Sequence, residues 1–136
     1  MSDSEGYASV TIRSEADIVT ARQHGRRIAN DLGFSSGEQA LITTAISELA
    51  RNIVLYAREG QIELREVNRG ARRGLLVVAS DHGPGIANIE LALRDGFSTS
   101  GGLGMGLPGS RRLMDEFSIE SALGRGTTVR GTRWKR

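Results

Sequence analysis

Apolar positions recur along the chain with two periods, and the change from one to the other separates helices from strands. Residues 8–13 alternate, as a half-buried strand does. Ile18, Ala21, Ile28 and Leu32 then fall on one stripe of a helix that opens at a capping box of Ser14 and Asp17 and stops at Gly33. A second helix is predicted from Ser35 or Ser36 to about Ala57, because Ile42, Ile46, Leu49 and Ile53 recur at steps of four, three and four, and Gly60 ends it. Residues 61–67 and 74–80 read as strands joined by a turn at Asn68-Arg69-Gly70. The second of these runs through Leu75, Leu76, Val77 and Val78 without a polar break, which marks a central strand. A glycine-rich stretch over residues 96–106 leads to a third helix with Pro108 in its first turn, running to about Phe117. Two last strands, near residues 118–122 and 127–134, flank a Gly124-Arg125-Gly126 turn. Helices and strands do not alternate as regular βαβ units. The order predicts an α+β fold, a two-layer sandwich whose mixed, mostly antiparallel sheet carries helices on one face, so the other face has to be covered or polar.

Composition narrows what such a fold does. The chain has 136 residues, 38% of them hydrophobic, enough for one core but not two, and a single domain over residues 1–136 is expected. No apolar run approaches the roughly 20 residues that span a bilayer, and the polar start lacks the regions of a signal peptide, which points to a cytoplasmic protein without a membrane partner. With no cysteine, there is no thiolate chemistry, and catalysis falls to oxygen, nitrogen or a hard cation. The pI near 9.7 reflects arginine in place of lysine, since the formal charge is only +2. Arginines crowd residues 69–73 and 125–136 with little aromatic interleaving, which reads as solvated surface or a protein-docking face and argues against nucleic acid as a partner.

Three constellations carry candidate chemistry. Glu48 and Asn52, four apart on the second helix, project to one face. A carboxylate there can take a proton from an attacking hydroxyl, and an amide oxygen can ligate magnesium that phosphates otherwise hold, although such pairs also occur on ordinary polar helix faces. Asp81 closes the apolar strand and opens Asp81-His82-Gly83-Pro84-Gly85, whose glycines permit close backbone approach to a ligand and whose carboxylate can accept from an adenine amino group; a plain strand-ending turn has the same composition. Gly101-Gly102-Leu103-Gly104-Met105-Gly106-Leu107-Pro108 feeds glycines into a helix N-terminus, where free N–H groups favour phosphate, the alternative being a flexible linker. The literal G-x-G-x-x-G from Gly104 to Gly109 follows no apolar strand, so it is not a dinucleotide fingerprint. The one lysine, Lys135, sits outside any phosphate-binding context, which excludes P-loop and eukaryotic-type kinase sites. His24 and His82 lack metal-ligand spacing or a relay partner.

Taken in order, these motifs resemble the GHKL superfamily of gyrase, Hsp90, histidine kinases and MutL, built on the Bergerat ATP-binding fold. The resemblance implies ATP and Mg2+ as cofactors, with Asn52 on the metal, Glu48 as catalytic base and Asp81 on adenine. Gly83, Gly85 and Ile86 would line the purine, and Gly102, Leu103, Gly104, Met105, Gly106 and Leu107 would form the phosphate loop. Thr127 matches the family's threonine near adenine. Within the superfamily the chain is similar to the serine/threonine kinases of bacterial partner-switching, and most to the stressosome switch kinases, through residues 16–19, 21–23, 43–52, 95–109 and 112–117. That likeness implies phosphorylation of STAS-domain scaffold or antagonist proteins and activation of a PP2C-type phosphatase after release. An anti-sigma factor kinase that sequesters a sigma factor, and a nucleotide-gated binding module with little catalysis, are the two competing readings.

Overall fold

A computed structural model describes residues 6–85 and 106–136. Their elements are β1 (Tyr7–Ile12), α1 (Glu15–Leu32), α2 (Ser36–Asn52), a π-helical turn (Ile53–Ala57), β2 (Gly60–Arg69), β3 (Arg72–Asp81), α3 (Gly106–Leu113), β4 (Glu116–Ala122) and β5 (Gly126–Trp134). The strands form one sheet in the order β1-β2-β3-β5-β4, and each of its four pairings is antiparallel. β3 is its centre, as its unbroken apolar run requires. Among the described residues no helix is long and apolar enough to cross a membrane.

Local chemistry sets the helix ends. At α1, the Asp17 carboxylate accepts from the backbone N–H groups of Arg13 and Ser14 at 2.8 and 3.1 Å. Gly33, at φ 91°, closes α1 with its own N–H and that of Phe34 donating to Asn30 and Ala29 carbonyls. Ser35 and Glu38 cap α2 reciprocally, Glu38 N donating to Ser35 Oγ at 3.1 Å and Ser35 N to Glu38 Oε1 at 3.4 Å. The α-helical part of α2 ends at Asn52, five residues short of the predicted stop, because the last turn widens to the π form. The third helix ends at Leu113 and not near Phe117: Asp115 N donates to the Thr132 carbonyl at 2.8 Å, and Phe117 pairs with Gly131, so the sheet takes these residues from the helix.

α1 and α2 bury Ile18, Ile28, Ile42, Ile46 and Leu49 against Ile62, Leu64, Leu75 and Val77 on one sheet face, all at most 2% exposed. Gly25 on α1 lies directly under the Ile46 methyl, which lets the two helices approach. The opposite face carries the half-buried Leu76 and Val78 of β3 among polar and charged side chains. Tyr7 donates to Glu63 at 2.8 Å, Arg65 pairs with the same carboxylate at 2.9 Å, and Arg130 reaches Glu120 at 3.1 Å.

The arginine clusters close a corner of the molecule. The guanidinium carbons of Arg69 and Arg72 each stand 4.8 Å from the centre of the Trp134 ring, and Arg69 bonds Glu116 at 2.7 Å. Asp115 accepts from Trp134 N at 2.7 Å and from Arg136 at 2.6 and 3.0 Å. The Arg136 guanidinium, aided by the Trp134 N–H and opposed by partial burial, lowers the Asp115 carboxyl to about 2.

Truncating Ile46 to Ala is expected to destabilise the fold by about 2–5 kcal/mol in a denaturant titration. A carboxyl depressed in the folded state stabilises above its unfolded value, here 3.8, and that contribution fades as pH falls towards about 2. The midpoint of urea unfolding should therefore fall more steeply between about pH 4 and pH 2 in the native chain than in Asp115→Asn.

Candidate functional site

The end of α2 and the end of β3 meet at one edge of the core. Because Ile42, Ile46 and Leu49 point into the core, the helical period turns Glu48 and Asn52 to its boundary, where both are half-buried. Arg51 Nη1 donates to Glu48 Oε2 at 3.3 Å. Among the described residues the Asn52 side-chain amide has no hydrogen-bond partner, and it is half-buried. The π turn that follows packs on β2 and β3, with Ile53 buried against Gly60. It leaves Arg58 at φ 71°, a left-handed value uncommon outside glycine.

Asp81, last residue of β3, stands opposite Gly60 on β2 and Thr127 on β5. Its Oδ1 accepts the Gly83 N–H at 2.8 Å, which folds the following loop back towards the strand. Among the described residues its second carboxylate oxygen takes no hydrogen bond. Gly83 lies on Ala57 of the π turn: a Cβ at that position would come within 2.7 Å of the Ala57 Cβ. Gly126 has φ 97° and no room for a side chain, since a Cβ would strike the Asp81 carbonyl oxygen. Pro84 accepts from Gly124 N at 2.9 Å, which ties the β4–β5 turn to the loop, and Gly85 abuts the Ala122 carbonyl. The Thr127 hydroxyl pairs with Ser121 Oγ at 2.8 Å.

The structure thus gathers Asp81, Gly83, Gly85 and Thr127 at the end of the central strand, beside the helix end that bears Glu48 and Asn52. Gly106 opens α3, Leu107 is 7% exposed in the core, and α3 packs along α2. Ile86, Gly102, Leu103, Gly104 and Met105 lie outside the described residues. An acceptor carboxylate oxygen on Asp81, a glycine floor over Ala57 and an unclaimed half-buried amide at Asn52 fit a purine nucleotide carrying magnesium. Among the described residues no three or more His, Asp or Glu side chains gather as a cation cage; a magnesium ion bound mainly through phosphates needs none.

Sequence reasoning passed over four contributors. Arg51 was legible as an i,i+3 partner of Glu48, and Gly126 was read only as a turn residue. Ser121 and Ala57 gave no signal, because their roles arise from register and from the widened helical turn.

The chain matches the family described as histidine kinase-, DNA gyrase B-, and HSP90-like ATPase over residues 37–135. It is 57% identical over 127 residues to a serine/threonine-protein kinase, RsbT of Bacillus subtilis, covering 93% of this chain and 96% of that one. It is 33% identical over 101 residues to an anti-sigma F factor of Caldanaerobacter subterraneus subsp. tengcongensis, covering 71% of each. Among solved structures, the RsbU and RsbW domains of Rv1364c from Mycobacterium tuberculosis share its fold with a TM-score of 0.59 at 22% identity; the match covers 95% of this chain and 33% of that one. The mycobacterial sensor histidine kinase MprB does so with a TM-score of 0.58 at 15% identity, covering 96% and 98%.

Replacing Gly126 by Ala forces a side chain against the Asp81 carbonyl at a positive φ. The expected outcome is a stability loss of about 1–3 kcal/mol and weaker binding of a fluorescent ATP analogue. Gly124→Ala, where a Cβ meets nothing within 4 Å, should lower stability by about 1 kcal/mol and leave binding unchanged. Equal binding in both variants would show that the close approach at Gly126 plays no part in the site.

Proposed function

The chain belongs to the histidine kinase-, DNA gyrase B-, and HSP90-like ATPase family, and we propose that it is a single-domain, cytoplasmic serine/threonine kinase of bacterial partner-switching. The observation that carries this is the 57% identity, across 93% of the chain, to a kinase of that specificity. The half-buried Glu48 and Asn52 beside the Asp81 end of β3 support it from the structure.

ATP is the phosphoryl donor. Asp81 accepts from the adenine amino group through the carboxylate oxygen that does not hold Gly83, and Thr127, oriented by Ser121, lies across the strand pairing from it. Gly83, Gly85 and Ile86 line the purine. Gly102, Leu103, Gly104, Met105, Gly106 and Leu107 hold the phosphates, with the first N–H groups of α3 directed at negative charge. Asn52 would hold Mg2+, which supplies charge neutralisation on the phosphates when bound. Glu48 takes the proton of the acceptor hydroxyl as its oxygen attacks the γ-phosphorus and the bond to the β-phosphate oxygen breaks, releasing ADP.

The acceptor we assign is a STAS-domain regulator, and the output is activation of a PP2C-type phosphatase by the freed kinase. Both come from the resemblance to stressosome switch kinases. Sequestration of a sigma factor is the second reading, favoured by the anti-sigma F factor relatives, but their identity of 33% is well below the 57% of the kinase.

Transfer of labelled γ-phosphate from ATP with Mg2+ to a panel of STAS-domain proteins tests the proposal. Glu48→Gln is expected to lower transfer by about 10²–10⁴-fold with ATP still bound, and Asn52→Ala to lose transfer and magnesium-dependent nucleotide binding together. Undiminished transfer in Glu48→Gln would remove the base from Glu48, and binding of ATP without transfer to any partner would favour a nucleotide-gated binding module.

A further inference from the structure

The outward stripe of α2 carries more than the Glu48 carboxylate. Burial of Ile42, Ile46 and Leu49 leaves Leu41, Thr44, Glu48 and Arg51 on the other side of the helix, and Leu55 continues the row on the π turn. Leu41 and Leu55 are exposed large apolar side chains, at 37% and 51%. Between them, and among the described residues, Arg51 meets Glu48 through a single contact of 3.3 Å, with 39% of each side chain in solvent. A guanidinium has five N–H donors and binds a carboxylate best through two of them, so this contact leaves most of its capacity open.

We propose that Arg51 is a specificity-determining residue of the kinase, recognising an acidic side chain beside the acceptor serine or threonine of a partner that docks on this stripe. The inference rests on the reading of Glu48 as the base. Any hydroxyl that gives its proton to Glu48 must arrive over the same face. Arg51 lies three residues further on, about 4.5 Å along the axis at a rise of 1.5 Å per residue. That is between one and two residues of an extended segment at about 3.3 Å each. A carboxylate one or two positions from the acceptor therefore meets the guanidinium while the hydroxyl meets Glu48, and Leu41 and Leu55 cover apolar flanks. The pairing also acts on the base: as Arg51 turns to the incoming carboxylate, Glu48 Oε2 gives up its cation and becomes open to the hydroxyl proton. A basic flank would instead place like charges together, which disfavours such acceptors.

The test is steady-state transfer to the STAS-domain acceptor found in the panel, with each acidic residue flanking its phosphorylated position changed in turn to arginine. Arg51→Glu and Arg51→Gln are expected to raise the acceptor KM roughly tenfold, with ATP affinity and melting temperature near those of the native chain. One charge-reversed acceptor should restore most of the loss with Arg51→Glu and not with Arg51→Gln. An unchanged KM in both variants, or a rise that no reversed acceptor relieves, overturns the proposal. Transfer that persists in Glu48→Gln overturns the base assignment instead, so the two failures are distinct.

Discussion

The seating of α2 on the sheet is the contact from which the rest of the molecule follows. Ile42, Ile46 and Leu49 interlock with Leu64, Leu75 and Val77 in a core from which water is excluded, and each such side chain contributes roughly 1.5–3 kcal/mol through burial. A helix held by one stripe has only one rotation open to it. That rotation puts Glu48 and Asn52 at the edge of the core and Leu41 and Thr44 on the outside, so the packing that stabilises the fold also sets where these polar side chains stand.

The helix does not simply stop where that job ends. Its final turn widens to the π form over Ile53–Ala57, which inserts Ile53 beside Gly60 and brings Ala57 beneath Gly83. The loop after β3 rests on this turn, and Asp81 ties the loop back by accepting the Gly83 N–H. From the other side Gly126 presses against the Asp81 carbonyl. Three segments far apart in sequence converge on the end of one strand, with backbone in contact where a side chain would hold them apart. Widened helical turns recur at functional sites for this reason: they re-aim a helix end without ending the helix.

Charge is distributed by a different logic. The arginine clusters suggest, by count, a basic docking face. In the fold Arg69 and Arg72 flank Trp134, Arg73 bonds Glu66, and Arg136 holds Asp115. These side chains fasten the β2–β3 hairpin, the start of β4 and the C-terminal residues to one another. Arg51 stands apart from these clusters in sequence, and its guanidinium meets Glu48 at 3.3 Å.

The helical and alternating periods determined the element order, the central place of β3 and the α+β class, because burial imposes the same period on any sequence that must hide one face. The spacing of Glu48 and Asn52 and the placement of Asp81 after an apolar strand were likewise legible, since each motif lies within a few residues of chain. Boundaries were decided elsewhere. The helix predicted to Phe117 yields at Leu113 to a bond from Asp115 to Thr132, and the helix predicted to Ala57 changes form at Ile53. Ser121 against Thr127, Ala57 under Gly83 and Gly126 on Asp81 depend on strand register and on backbones brought within contact distance. A linear pattern records which residues prefer to be buried or to turn; it does not record which distant residue they will meet, and that is fixed only when the core closes.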